Sequence, residues 1–360
     1  MKGIYLIYSS LNIEKPDGIE KKILNQVQMF EDAGISMSFY ILRKENGTFW
    51  NYASEIAEAD FIYFRKGTII DYRFLAFFKR IKQKNPRIII FMEIPTYPYE
   101  GEYGKSVKAR LALTIDHILR KRIHNCIDRI IITGANVGNM IWGANAINIV
   151  NGIDLDSVPI RNLSRFDNIH KDIIISCIAK FSPWHGYERL IKGLHTYYSN
   201  GGEQSVRVLM VGDGPEKEYY ESLVQEYSLN DHVTFTGQLL GDQLNEIYEK
   251  TDIGCCSLGR YKSGINVIGD LKSREFMAKG IPMILGCKID VLEGIEYPYA
   301  IEFPNDDSPI DIGRIIEFYT VLQNIGLRVY TESIRKYAEK SVDMRKCFLP
   351  VIEEMKRCAI

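Results

Sequence analysis

The chain has 360 residues, and 45 Lys plus Arg against 46 Asp plus Glu leave a formal charge of −1. That length suits two domains or one large one. With 46% hydrophobic and 25% charged residues, a disordered chain, a collagen-like repeat and a highly charged nucleic-acid binder are excluded.

The first eight residues lack the apolar region and cleavage site of a signal peptide and read as a buried strand. No apolar run reaches the roughly 18 residues of a spanning helix. Strand 4–8 precedes a helix opening at Gly18, where Ile19, Ile23, Val27 and Phe30 recur at helical spacing and Gly34 suits the stop. Further strands are expected at 38–42, 61–64, 88–92 and 129–133. A turn at 150–154 and the polar stretch to Lys171 form the expected linker. In the second half, strands are expected at 173–179, 207–211, 233–236, 253–257 and 282–285. Helices are expected near 187–198, 215–227, 240–249 and 272–279, with a helical tail over 331–360. Continuous apolar strands alternating with helices imply α/β architecture with parallel sheets covered on both faces. Two doubly wound halves would face one cleft, with the chemistry in loops that follow strands. The seven cysteines form no C-x-x-C pair, and Cys255-Cys256 reads as small apolar filler. A reducing, cytoplasmic setting follows.

Several familiar motifs fail. Gly212-Asp213-Gly214 follows a strand, but Lys217 stands where a dinucleotide fingerprint needs its third glycine. Gly101-Glu102-Tyr103-Gly104-Lys105-Ser106 has Tyr99 where a P-loop needs its first glycine. Asp154-Leu155-Asp156 matches the D-x-D of some metal-dependent sugar transferases but sits in a turn that favours Asp anyway. The six histidines have no zinc-site spacing.

Four pieces survive, in this order: Ala179-Lys180-Phe181-Ser182-Pro183-Trp184-His185-Gly186-Tyr187, Val211-Gly212-Asp213-Gly214-Pro215, His232-Val233-Thr234-Phe235-Thr236-Gly237, and Leu271-Lys272-Ser273-Arg274-Glu275-Phe276-Met277-Ala278-Lys279-Gly280-Ile281-Pro282. Together they resemble the C-terminal half of GT-B glycosyltransferases, family GT4. The likeness covers nearly the whole chain, through Asp17-Gly18-Ile19-Glu20 and Asn151-Gly152-Ile153-Asp154. Glu93-Ile94-Pro95-Thr96-Tyr97-Pro98-Tyr99 further resembles a motif of bacterial polysaccharide-assembly members.

The resemblance implies a GT-B fold of two Rossmann-like domains. Residues 1–160 would bind the acceptor and 161–339 the nucleotide-sugar donor, with a helix at about 340–360 packing back on the first domain. It implies a retaining transferase that needs no cofactor or metal. The enzyme would move a sugar from a nucleoside-diphosphate sugar, a UDP-sugar foremost, to a glycan or lipid-linked glycan in surface polysaccharide synthesis. The alternatives are a GT-B sugar-nucleotide epimerase and a non-catalytic sugar-nucleotide-binding partner subunit.

The family clamps the donor pyrophosphate with an Arg and a Lys five positions apart. Here these positions are Lys180 and His185, and a nearby diphosphate would favour the imidazolium. Glu275 matches the second acid of the family's E-x7-E motif, expected on the ribose, while the first acid falls at Val267. Asn266, Asp270 or Lys272 could stand in for it, within loop 259–269. Catalytic candidates are therefore Lys180, His185 and Glu275. Donor contacts are expected from Gly18, Lys180, His185, Gly212, Gly237, Lys272 and Glu275. Acceptor contacts are expected from Arg65, Glu93, Tyr97, Tyr99 and Glu102, in loops after first-half strands.

The near-zero charge averages two unlike halves. Residues 1–150 carry 21 Lys plus Arg against 15 Asp plus Glu, a net of +6, leaving −7 for the rest. The excess gathers in 79–87 and 105–129, with Phe74, Leu75, Phe77 and Phe78 close by. Basic helices with exposed apolar residues would settle on an anionic leaflet, at the inner face of the membrane.

Overall fold

The computed structural model describes residues 1–7, 18–41, 56–67, 69–100, 106–134, 136–163 and 172–358. Asp17, Glu102 and the P-loop-like glycines Gly101 and Gly104 lie outside them. The chain forms two compact units: 1–154 with 344–360, and 155–343.

In the first unit the elements run β1 (Lys2–Ile7), α1 (Gly18–Asp32), β2 (Ser36–Ile41), β3 (Phe61–Arg65), α2 (Tyr72–Lys84), β4 (Ile89–Ile94), α3 (Val107–Leu119), β5 (Arg129–Thr133), β6 (Met140–Ile141) and β7 (Ala144–Ile149). The seven strands lie in the order β2-β1-β3-β4-β5-β7-β6, all parallel except the β6–β7 pair. Side chains alternate between the two faces of the sheet. Ile4, Leu6, Ile62 and Phe64 join one core with Phe74, Phe77 and Phe78 of α2. Tyr5, Ile7, Phe61 and Tyr63 join the other. Both faces are covered, so the inner strands are mostly apolar, as a buried parallel sheet requires. The β6–β7 hairpin is absent from the strands expected above. Asn145 and Asn148 break its apolar run, and its turn takes Trp142 and Gly143 to φ of 50° and 83°, the doubly positive turn of a tight hairpin.

The second unit runs β8 (Ile173–Ile178), α4 (Glu188–Ser199), β9 (Val206–Val211), α5 (Lys217–Glu226), β10 (Val233–Gly237), α6 (Gly241–Lys250), β11 (Ile253–Cys255), β12 (Val267–Ile268), α7 (Leu271–Lys279), β13 (Met283–Leu285), β14 (Lys288–Ile289), β15 (Ala300–Glu302), α8 (Ile312–Ile325) and α9 (Leu327–Ser341). Its main sheet has the order β10-β9-β8-β11-β13-β15, and β12 pairs with β14 apart from it. The chain turns at Val342–Asp343 and enters α10 (Met344–Cys358), which buries Met344, Phe348, Val351, Ile352 and Met355 in the second core of the first unit. All seven thiols are free, and burial pushes those of Cys255 and Cys256 well up, which keeps them inert.

The clusters of apolar and basic residues differ from expectation. Phe74, Leu75, Phe77 and Phe78 are buried core rather than an exposed face, because α2 turns them onto the sheet. A group of exposed apolar side chains lies instead on α3: Val107, Leu111 and Ile118. No helix among the described residues is long and apolar enough to cross a membrane.

Candidate functional site

In the second unit the loops after β9 and β11 pack on the segment that follows β8, and that segment meets the start of α7. After β8 the chain makes a 3-10 turn, Pro183–His185, with Pro at its first positions and Ser182 before it. The Ser182 N–H donates to His185 Nδ1 at 3.0 Å, and the His185 N–H donates to the Ser182 carbonyl at 2.9 Å. Gly186 then takes φ +64°, and a Cβ there would lie 2.4 Å from the backbone N of Gly259. Only glycine fits that approach. The Leu258 N–H closes it by donating to the His185 carbonyl at 2.7 Å. On the other side, the Phe181 N–H donates to the Asp213 carbonyl at 2.7 Å, and the Gly212 N–H to that of Gly237 at 2.8 Å.

Asp270 caps α7, its carboxylate accepting from the Ser273 N–H at 3.0 Å. Two residues on, the Lys272 ammonium donates to the Tyr187 hydroxyl at 2.7 Å and lies 5.2 Å from that ring's centre. The His185 ring stacks on Tyr187 with centroids 5.6 Å apart and planes 16° apart. Lys272, Tyr187 and His185 are thus one contiguous cluster.

Burial lowers the Lys272 pKa, against a partial upward pull from Asp270. Burial raises the Asp270 carboxyl, but Lys272, the Ser273 hydrogen bond and Arg260 together bring it below its usual range. His185 is pushed strongly down by burial and by the cations Lys272 and Arg260. These oppose the imidazolium that a bound diphosphate would favour: His185 is 9% exposed, and because its Nδ1 is an acceptor the neutral ring carries its proton on Nε2.

The other donor-side candidates are placed differently. Lys180 is exposed at the end of β8. Glu275 accepts from the Tyr248 hydroxyl at 2.7 Å, so one of its oxygens faces α6. Val267 pairs with Lys288 inside the β12–β14 ladder, a strand position where the family has an acid. Asn266 supports a loop, its side chain accepting from Asn305 at 3.0 Å. Gly18 belongs to the first unit, as the first residue of α1.

The acceptor candidates are also redistributed. Glu93 is 0% exposed and fully engaged: it pairs with Arg65 and accepts from Tyr63 at 2.8 Å and from Gln26 at 3.2 Å. Burial raises its carboxyl, and Arg65, Lys22, Tyr63 and Gln26 more than reverse that. Glu93 and Arg65 therefore form a buried ion pair within the sheet, which corrects their assignment as acceptor contacts. Tyr99 is likewise buried, donating to Asp116 at 2.6 Å beneath the Lys66 ammonium. Tyr97 is half-buried, 6.3 Å from Trp142 between ring centres.

Tyr187 and Arg260 are site residues that the motif reading passes over. Tyr187 stands inside the first motif but reads as an apolar helix residue. Arg260 has one sequence signal, a cation directly after Gly259 in a glycine-bounded loop.

Residues 160–286 match the family model described as Glycosyl transferases group 1. The chain is 24% identical over 235 residues to a GDP-Man:Man(3)GlcNAc(2)-PP-Dol alpha-1,2-mannosyltransferase of Dictyostelium discoideum, covering 60% of this chain and 42% of that protein. It is 26% identical over 113 residues to a GDP-mannose-dependent alpha-(1-6)-phosphatidylinositol monomannoside mannosyltransferase of Mycobacterium tuberculosis, covering 31% of this chain and 29% of that one. The matches thus span less than half the length of either relative. Along the whole chain the structure is similar to that of Anabaena HepE in complex with UDP, with a TM-score of 0.66 at 15% identity, covering 99% and 100% of the two chains. The chain therefore has the GT-B fold, and its residues 160–286 match the group 1 glycosyl transferases.

Proposed function

We propose that the protein is a retaining, metal-independent glycosyltransferase. It moves a sugar from a nucleoside-diphosphate sugar to a glycan or lipid-linked glycan in surface polysaccharide synthesis. The second unit holds the donor and the first the acceptor. The observation that carries this reading is the cluster of Lys272, Tyr187 and His185 where strand-end loops meet a helix start within the group 1 domain. As the glycosidic bond to the diphosphate breaks, negative charge grows on the departing oxygens. The Lys272 ammonium and the His185 Nε2–H are donors suited to that charge, preorganised by Tyr187 and Ser182. In the retaining course the departing phosphate takes the acceptor hydroxyl's proton on the same face, so no second carboxylic acid is required.

The names of the relatives include GDP-mannose, and the HepE structure holds UDP, so the donor test must span both bases. Release of UDP from UDP-sugars and of GDP from GDP-mannose is measured with lipid-linked glycan extract, with and without EDTA. One donor should be turned over, undiminished by EDTA. Failure to bind any of them would sink the proposal, and conversion of the donor without acceptor would favour the epimerase. Binding without turnover on any extract would favour the partner subunit. A lipid-linked acceptor also suits a peripheral site on an anionic inner leaflet, for which α3 offers a surface.

A further inference from the structure

Arg260 opens the turn Arg260–Ser263 directly after Gly259, whose backbone lies against Gly186. Its side chain is only 7% exposed, yet Nε and Nη1 are buried with no hydrogen-bond partner among the described residues. The guanidinium carbon is 5.9 Å from the centre of the Trp184 ring, next to His185. Its field reaches both His185 and Asp270.

A buried guanidinium with two unmade hydrogen bonds is costly to hold, because its N–H groups have given up water for nothing. The nearby carboxylate does not settle the account. Asp270 already caps α7 and faces Lys272, so one anion stands among two cations. What such a cluster recognises is a compact group with several acceptor oxygens and more than one negative charge. Arg is suited to it, since its planar fork reaches two phosphate oxygens at once where Lys offers a point charge.

We propose that Arg260 binds the diphosphate of the donor, at a place where the family's clamp has its cation and this chain has His185. This rests on the reading of the second unit as a nucleoside-diphosphate-sugar site. The clamp then consists of Arg260 and Lys272, with His185 contributing a neutral Nε2–H.

The test compares wild type with Arg260→Gln and Arg260→Lys by calorimetric titration of UDP, UMP, GDP, GMP and inorganic pyrophosphate, with thermal unfolding as the check on folding. Wild type should prefer one nucleoside diphosphate over its monophosphate. In Arg260→Gln the diphosphate should bind about 30-fold more weakly or worse, removing most of that preference. Arg260→Lys should fold and bind the diphosphate about five-fold more weakly, with the monophosphate little changed. If the Gln variant does not fold, the Lys variant decides by the same ratio. A diphosphate preference equal to wild type in the folded variants would overturn the assignment of Arg260. Wild type that binds no nucleotide would instead overturn the donor reading beneath it.

Discussion

A neutral imidazole whose Nδ1 already accepts a backbone N–H has one thing left to offer, the proton on Nε2. His185 is in that position, and its protonation is opposed by burial, Lys272 and Arg260. Since its folded-state value lies below that of an unfolded histidine, the stability it contributes is full above about pH 6.5 and declines as pH falls. Unfolding free energy between pH 7 and 5 should therefore fall less steeply in His185→Gln than in wild type. The gap should open by about 1.4 kcal/mol per pH unit below 6.5. Parallel pH profiles would show that this imidazole titrates alike in the folded and unfolded chains. The positions of Lys272, His185 and Glu275 were legible because motif order marks them. The charge state of His185 was not, because it depends on Lys272 and Arg260, which are distant in sequence. Glu93 shows the same limit: a strand-end acid looks like a sugar ligand until Arg65, Tyr63 and Gln26 are seen to consume its oxygens.

At the scale of elements, most strands of the two main sheets were legible because burial on two faces makes them largely apolar runs, such as Ile173–Ile178, whereas the short β15, Ala300–Glu302, was not among those expected. The β6–β7 hairpin was not, since its edge position tolerates Asn145 and Asn148. The site itself depends on how closely two loops approach, and Gly186 is the point of contact. Gly186→Ala would meet both a left-handed backbone and the N atom of Gly259. A loss of at least about 2 kcal/mol is expected in urea denaturation. A loss below 0.5 kcal/mol would mean that the Gly186–Gly259 contact yields easily.

For the whole molecule, the unequal charge of the halves finds a surface in α3 and the turn after it. Val107, Leu111 and Ile118 form one exposed stripe at i, i+4 and i+11. Lys108, Arg110, Lys121 and Arg122 are exposed nearby, while Asp116, the one acid of α3, is turned inward to Tyr99 and the Ile70 N–H. The chain should float with liposomes containing phosphatidylglycerol at low salt and be released at high salt. Lys108→Glu with Arg110→Glu should weaken binding by at least about 2 kcal/mol, at about 1 kcal/mol for each cation lost. Equal flotation of this double variant would remove α3 as the contact.

The return of α10 to the first unit also bears on how the protein is made. The face of the first sheet carrying Tyr5, Ile7, Phe61 and Tyr63 shares its core with Phe348, Val351 and Ile352. Those residues leave the ribosome only after the whole second unit, about 10–40 s behind the rest of the first at ordinary translation rates. Throughout that interval the nascent first unit presents an incompletely covered aromatic face. Its final closure waits for the second unit to be made, even though it is written into the same polypeptide. A ribosome stalled anywhere within residues 155–343 would therefore display a substrate for chaperones rather than a finished domain.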